Sequence, residues 1–300
     1  MDNGAAFLIA ETRGVLAVTG EDRVAFLQGL VSNDIRKAAP DRALYALFLT
    51  PQGKFLHDLF IAETGEALLL DAEAARRDDL LRRLRLYKLR SRIALEDRTP
   101  GHAVVLLYGS DALKRLGLPA EPGAARPFAG GVAYVDPRLP VLGARAMLPR
   151  DGGADALSAA GFAEGDPAAY DRLRLRHGVP DGSRDLVVEK AIPLENNLHD
   201  LNAIAWDKGC YMGQELTART HYRALIRRRL YPVAVDGPLP APGTPVMLGD
   251  REAGELRSGL DGHALALLRG EDVERARADG TPLTCGGTTV IPRRPDWASF

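Results

Sequence analysis

The 300-residue sequence predicts an α+β fold followed by a small β-barrel module. Two apolar runs, residues 43–50 and 55–62, flank a turn at residues 51–54 and so predict a β-hairpin. Residues 73–90 read as an amphipathic helix, because leucines and one tyrosine line one face and charged residues fill the other. After Leu230 short apolar runs alternate with Gly and Pro turns, and we expect no long helix there.

The remaining elements follow in order along the chain. Residues 14–18 form an apolar strand, and Thr19 with Asp22 resembles a capping box at the start of a helix. Asn33 and Asp34 close that helix. Further strands are predicted at residues 66–71, 91–96 and 103–108, and a basic helix at residues 167–178. We expect a region at 1–224 made of two intertwined α+β subdomains, one of them a hairpin–helix subdomain at about 41–100, and the barrel module at 225–300.

Composition narrows the class of protein. The net charge of −1 provides no overall field that would draw the chain to nucleic acid or to a membrane. No apolar run approaches the ~20 residues of a membrane span. The first residues lack the pattern of a secretory signal or transit peptide, so we expect a bacterial cytoplasmic location.

The segment from Lys208 to Glu215 is the strongest functional candidate. It carries Cys210, one of only two cysteines, between Gly209 and Gly213. A free cysteine is usually a small core residue, but Lys208 and Arg219 are positioned in sequence to lower its pKa. The glycines predict positive φ or close backbone approach. No histidine stands at a spacing typical of a Cys–His pair, which argues against a protease nucleophile.

Cysteine number limits metal chemistry. An iron–sulfur cluster usually needs about four thiolates, so this chain would have to share a cluster with a second protein. We take Cys285 as structural.

Other polar residues have two readings each. Asp58, on the returning hairpin strand, is either a base facing a cleft or a solvated residue. Glu195, Asn196 and Asn197 form either a turn or a carboxylate with two amides aimed at a heteroaromatic ring. The run 227–229, with Arg223 nearby, is either a solvated face or a contact for a polyanion such as a polyglutamate tail or RNA phosphates.

Several motifs together resemble one family. The stretch Lys208 to Thr220 (Lys-Gly-Cys-Tyr-Met-Gly-Gln-Glu-Leu-Thr-Ala-Arg-Thr) resembles the signature of YgfZ-type folate-binding proteins, relatives of the glycine-cleavage T-protein. Supporting matches lie at residues 26–34, 49–54, 87–91, 178–182 and 192–198. The resemblance covers roughly residues 7–235, and its nearest branch is the iron–sulfur-cluster assembly factors shared by mitochondria and some bacteria.

The resemblance implies a T-protein-like ring of domains around a central folate pocket, with a C-terminal β-barrel. It implies tetrahydrofolate binding, maturation of [4Fe–4S] proteins, and a transient [2Fe–2S] or [4Fe–4S] cluster shared with an A-type iron–sulfur carrier protein through Cys210. We expect a monomer. The folate-binding residues that we expect from it are Asn33, Tyr45, Asp58, Glu195, Asn197, Lys208, Tyr211, Gln214, Glu215 and Arg219.

The chain departs from the aminomethyltransferases of this family at two positions. His57 and Asp58 stand where those enzymes place paired aspartates, and Arg176 stands where they tend to have a glutamate. Losing that acid removes a charge-assisted partner for the pterin. A non-enzymatic assembly factor, with Cys210 as cluster ligand or redox thiol, is therefore favoured over a one-carbon transferase that uses Asp58 to steer an amine. A tRNA-modification-linked factor ranks third.

Overall fold

The computed structural model describes residues 4–222 and 226–300 of the chain. Two compact units divide it. The first comprises Met1–Leu49, Leu56–Asp166 and Leu201–Met212. The second comprises Thr50–Phe55, Pro167–Asp200 and Gly213–Phe300. The predicted domain boundary at 224/225 lies outside the described residues.

The secondary structure is mixed and rich in strands. The strands are β1 (Ala6–Ile9), β2 (Arg13–Thr19), β3 (Leu44–Leu49), β4 (Phe55–Glu63), β5 (Ala67–Glu73), β6 (Ala94–Asp97), β7 (His102–Tyr108), β8 (Ala125–Phe128), β9 (Gly131–Val135), β10 (Ala144–Pro149), β11 (Ala163–Glu164), β12 (Arg228–Asp236), β13 (Pro245–Leu248), β14 (Arg251–Leu260), β15 (His263–Arg269), β16 (Leu283–Cys285) and β17 (Thr288–Pro292). The helices are α1 (Arg23–Gln28), α2 (Arg77–Lys88), α3 (Ala112–Leu116), α4 (Arg150–Ala159), α5 (Pro167–Arg176), α6 (Gly182–Asp185), α7 (Gln214–Tyr222) and α8 (Gly270–Asp279). Short 3-10 turns lie at Ile35–Lys37, Ala74–Arg76 and Pro140–Leu142.

Two sheets build the first unit. One has the strand order β3-β4-β5-β2-β6, and the other has the order β11-β1-β7-β10-β9-β8. The second sheet packs on a core in which Phe7, Leu107, Leu148 and Phe162 are buried. Helix α2 buries Leu80, Leu81 and Leu84, as its period of 3.6 predicts.

A closed six-stranded barrel dominates the second unit, in the order β12-β15-β14-β13-β16-β17. Closure leaves no unpaired sheet edge. Helix α5 packs on it through Leu175, which joins Leu230, Leu265 and Leu267 in a small apolar cluster.

Two local predictions were wrong. Asp22 does precede α1, but its side chain makes no capping bond and instead accepts a hydrogen bond from the backbone N–H of Arg92 at 2.8 Å. Helix α8 lies in the module for which we expected no long helix. Its sequence is mostly charged, because only Val273 and Ala276 need to pack against the barrel core. None of the described helices is long and apolar enough to cross a membrane.

Candidate functional site

The loop that carries Cys210 belongs to the first unit and is anchored by Lys208. That side chain is 5% exposed, and its Nζ donates hydrogen bonds to the carbonyl oxygens of Gln28, Val31 and Asn33 at 2.8, 2.6 and 2.7 Å. The last carbonyl groups of a helix have no hydrogen-bond donors within the helix. Lys208 supplies donors to carbonyl groups at the end of α1 and just after it. Burial lowers the pKa of Lys208 to about 8, so the ammonium form still prevails at pH 7. Lys208 therefore fastens the loop.

Residues after Cys210 fix the other side of the loop. Tyr211 is buried, with its ring centroid 5.0 Å from Lys208 Nζ. The backbone N–H of Met212 donates to Gly29 O at 3.2 Å. Cys210 itself is exposed. An exposed thiol in a loop that is fixed by buried Lys208 and Tyr211 can reach a partner without unfolding of the loop.

The glycines flanking Cys210 differ from each other. Gly213 has φ of +83°, as the sequence predicts. Gly209 has no positive φ, and a Cβ added there would meet nothing within 4 Å. The expectation is therefore correct for Gly213 and wrong for Gly209.

A cleft of about 520 Å³ lies beside this loop in the first unit. Its wall includes Asn33, which donates through Nδ2 to Tyr45 O at 2.7 Å and Asn202 O at 2.8 Å. Its lining residues are Asn33, Lys37, Arg42, Ala43, Leu44, Tyr45, Pro122, Pro137, Asn202, Ile204, Ala205, Trp206 and Asp207. Lys37 pairs with Asp207 at 3.1 Å, whereas no ion pair holds Arg42 within the described part of the chain.

Tyr45 lines that cleft but its side chain is only 1% exposed. Its hydroxyl is buried without a hydrogen-bond partner among the described residues. Burial raises the pKa of Tyr45 well above its ordinary value, and the charge of Asp58 adds to this. An unpartnered buried hydroxyl is uncommon and marks a place where a polar group could be accommodated.

Asp58 belongs to a buried ionic cluster of three aspartates and three arginines. It is 2% exposed and pairs with Arg13 at 3.0 Å. Asp71 then joins Arg13 and Arg145, each at 2.5 Å. All three guanidinium groups lie within 5.3 Å of the centroid of the Phe60 ring. The full membership is Arg13, Asp58, Asp71, Asp136, Arg138 and Arg145.

The charges of this cluster balance. Burial alone would raise the pKa of Asp136, but Arg138 at 2.8 Å and Arg145 hold it below its ordinary value. Buried charges require such pairing because desolvation is costly. The Asp58 carboxylate is thus engaged by Arg13 and is not solvated.

His57 faces away from Asp58, since neighbours on a strand point to opposite sides. Its Nε2 lies 3.1 Å from Asp79 Oδ2 on α2. Burial lowers the pKa of His57 to about 4, with Arg76 contributing and the Asp79 hydrogen bond opposing. His57 is therefore neutral at pH 7.

The second unit holds the other predicted residues. Asn197 is fully buried with φ of +56°, and its Nδ2 donates to Leu230 O at 2.8 Å, so it shapes a turn. Glu195 is half-buried, and burial raises the pKa of its carboxyl group. No hydrogen bond or ion pair engages that carboxylate among residues 4–222 and 226–300.

Gln214, Glu215 and Arg219 lie on α7 in the second unit. Glu215 and Arg219 form an exposed i,i+4 pair at 2.9 Å. Such a pair contributes little stability. Their proposed binding roles stay predictions.

The arginine run does not form one continuous patch. Arg228 and Arg229 are consecutive on β12 and therefore point to opposite faces. Arg229 lies over the Phe300 ring at 4.7 Å, and burial lowers its pKa. Arg223 lies outside the described residues. Cys285 is fully buried in the barrel core, and burial raises the pKa of its thiol.

Several residues of the ionic cluster and the cleft were not predicted from the sequence. Arg13, Asp71 and Arg145 each interrupt or border apolar strand runs, and a charge in such a place signals a buried partner. Arg42 and Trp206 have no motif, and only the fold brings them to one cleft.

Two family models match the chain. The GCVT N-terminal domain matches residues 3–118, and the CAF17 C-terminal beta-barrel domain matches residues 227–300. The mitochondrial iron-sulfur cluster assembly factor IBA57 of Mus musculus is 34% identical over 282 residues, covering 87% of this chain and 77% of that protein. The Homo sapiens protein of the same name is 34% identical over 281 residues, with the same coverage.

A solved structure shows the same fold. The glycine cleavage system aminomethyltransferase T from Bartonella henselae superposes with a TM-score of 0.70 at 16% identity, covering 96% of this chain and 84% of that one. The predicted fold class, T-protein-like α+β with a C-terminal β-barrel, is confirmed, and so is the family resemblance.

The expectation of a bacterial cytoplasmic location is contradicted by these relatives, which are named as mitochondrial proteins. It depended on the absence of a leader pattern in the first residues, which carries no information about location. The tRNA-modification reading gains no support from the relatives.

Proposed function

We propose that this chain, which belongs to the family of IBA57 iron–sulfur cluster assembly factors, assists the maturation of [4Fe–4S] proteins by lending Cys210 as a transient ligand to a shared cluster. The observation that carries the proposal is the loop itself. The Lys208 ammonium donates hydrogen bonds to three backbone carbonyls, while Cys210, two residues later, is exposed. Buried contacts thus hold a loop that presents one thiol to solvent.

The partner must supply the other ligands. An iron–sulfur cluster usually requires about four thiolates. Cys285 is fully buried, and no group of three or more His, Cys, Asp or Glu side chains is placed to hold a metal in the part of the chain that the structure describes. We propose an A-type iron–sulfur carrier protein as that partner. The cluster is the cargo of the pair.

Anaerobic reconstitution with iron and sulfide tests the thiol role. We expect cluster absorbance with wild-type chain plus an A-type carrier beyond that of the carrier alone. We expect that gain to disappear with Cys210→Ser. Cys285→Ser is the matched control, because it removes the other, buried thiol and should preserve the gain. A full gain with Cys210→Ser would contradict the proposal.

We propose further that tetrahydrofolate binds at the 520 Å³ cleft, which has the size of a pocket for a small ligand. Trp206 offers an aromatic face for a pterin ring, and Arg42 offers a free guanidinium for a glutamyl carboxylate. When bound, tetrahydrofolate supplies a carrier of one-carbon units. Asn33 and Tyr45, two of the folate-binding residues expected from the family resemblance, both line this cleft.

The tryptophans provide a test that is independent of cluster transfer. The chain has two, Trp206 and Trp297, and Trp206 lines the cleft. Tetrahydrofolate should quench the fluorescence of wild type and of Trp297→Phe, but not that of Trp206→Phe. Arg42→Ala should weaken the affinity about tenfold, as expected for one charge-assisted contact. Unchanged quenching in Trp206→Phe would place the ligand elsewhere.

The structure favours an assembly factor over a one-carbon transferase. Asp58, the carboxylate that would steer the amine or act as base in such an enzyme, is 2% exposed and paired with Arg13. A base must reach the proton that it removes. We therefore expect no turnover of methylene-tetrahydrofolate with an aminomethyl donor.

A further inference from the structure

The C-terminal end of α2 exposes large apolar side chains that the core does not use. Leu86 is 66%, Tyr87 41% and Leu89 87% exposed. Leu89 follows the helix with φ of +43°, a conformation that side chains with a Cβ rarely adopt. An outlier of this kind persists where the surrounding structure imposes it, and it often marks a functional surface. We call residues 85–90 the helix-end patch.

Cations surround these apolar residues. Arg85, Lys88 and Arg90 have no acidic partner in the described parts of the chain. One turn earlier, Arg82 and Arg83 both pair with Asp79. The helix-end patch therefore carries three positive charges that no described acidic side chain neutralises.

A direct contact ties the helix-end patch to the cysteine loop. The hydroxyl of Tyr87 lies 3.2 Å from the sulfur of Met212. Met212 follows Cys210 by two residues, a separation of at most about 7 Å between their Cα atoms. A protein seated on the patch would thus have Cys210 at its edge.

We propose that the helix-end patch is the docking surface for a protein partner whose own surface has an apolar centre and an acidic rim. This deepens the proposed function and rests on it in one respect, that the docked partner is the one that shares a cluster with Cys210. Apolar anchors surrounded by charges are typical of protein interfaces. The three cations select an acidic rim and accelerate encounter.

Nucleic acid and membrane fit these observations less well. Exposed leucines contribute nothing to phosphate contacts, which polar and cationic groups make. A helix that lies in a membrane interface must offer its whole apolar face, whereas α2 buries Leu80, Leu81 and Leu84 in the first unit. Only the last turn is left, which suits a compact protein contact.

Titration calorimetry of the full chain against the apo form of an A-type iron–sulfur carrier tests the proposal. The double variant Leu86→Ser/Leu89→Ser should weaken binding about tenfold or more, as loss of interface anchors does. Arg85→Glu/Arg90→Glu should weaken it by a similar factor at low salt and by less at high salt. Controls are Val141→Ser, which removes another exposed apolar side chain, and Lys114→Glu, which reverses a distant exposed cation. Both controls should bind as wild type.

The outcomes separate this surface from the thiol role. Cys210→Ser should still bind the apo carrier, within about threefold of wild type, while losing the cluster. Unchanged binding by the leucine variant, or no binding by wild type, overturns the docking surface and leaves Cys210 to its own test. A third result also overturns it: wild type binds bulk tRNA or phosphatidylserine-containing vesicles, and the leucine variant loses that binding but binds the carrier as wild type does. Circular dichroism and thermal melting of each variant verify folding.

Discussion

Two regions of the first unit contain polar residues that the sequence predicts to be functional, and they differ in how those residues are paired and exposed. In the ionic cluster around Asp58, every arginine and every aspartate has an oppositely charged partner, and all of them are buried. In the Cys210 loop, the flanking side chains of Lys208 and Tyr211 are buried, and the thiol between them is exposed. Burial and mutual pairing favour a structural role for the ionic cluster, whereas the exposure of a thiol in an anchored loop favours the role that we propose for Cys210.

The largest effect should come from Asp71, at the centre of the ionic cluster. Asp71→Asn leaves Arg13 and Arg145 buried without their shared carboxylate. We expect a loss of about 3–5 kcal/mol in the free energy of unfolding, measured by urea denaturation. Asp207→Asn, in an exposed pair with Lys37, should cause no measurable loss. A small loss for Asp71→Asn would mean that the cluster is solvated and available for chemistry.

His57 tests the opposite face of the strand that carries Asp58. Its folded pKa of about 4 lies below the unfolded value of 6.5, so the folded state binds the proton less readily. Its contribution to stability is complete above pH 6.5 and is lost as pH falls towards 4, by about 3 kcal/mol. Asp79, with its pKa lowered to about 2, acts only at lower pH.

His57→Gln should remove the His57 part of that pH dependence while keeping a donor for Asp79, and the histidines at 177, 199 and 263, whose pKa values burial also lowers, should leave a remainder in both proteins. Urea melts of both proteins at pH 7, 5.5 and 4.5 measure the difference. Parallel losses in the two proteins would show that His57 is hydrated in the folded state.

Much of the fold could be predicted, because its signals are local. The 3.6-residue period of α2 and the turn between β3 and β4 lie within short windows of sequence. The site could be predicted only in part. Arg13 meets Asp71 across 58 residues, and Lys208 meets Gln28 across 180. No periodic pattern reports contacts at such separations.

The separation of Arg228 and Arg229 follows from the alternation of side chains along a strand. Because both residues lie within β12, residues 228–236, their side chains point to opposite faces. Helix α8 was not predicted, because two apolar contacts give too weak a helical period in a mostly charged segment.

Lys208 tests how the loop is held. Lys208→Met removes three charge-assisted hydrogen bonds and leaves the carbonyls of Gln28, Val31 and Asn33 without that donor. We expect a loss of about 2 kcal/mol, because water can reach part of this loop and satisfy some of them. Thiol labelling of Cys210 should continue, while cluster formation with the carrier should fall. A variant with full stability and full cluster formation would show that the loop needs no anchor.

Cys210 should show the smallest effect on stability and the largest on function. Because the side chain is exposed, Cys210→Ser should change the free energy of unfolding by less than about 0.5 kcal/mol. Cys285→Ser, at a buried site, should cost about 1–2 kcal/mol and spare cluster formation. Urea melts and anaerobic reconstitution on the same preparations measure both quantities. If Cys210→Ser instead destabilised the chain as much as Asp71→Asn, the Cys210 thiol would have a structural role, like the charges of the ionic cluster. The contrast between the two regions would then be wrong.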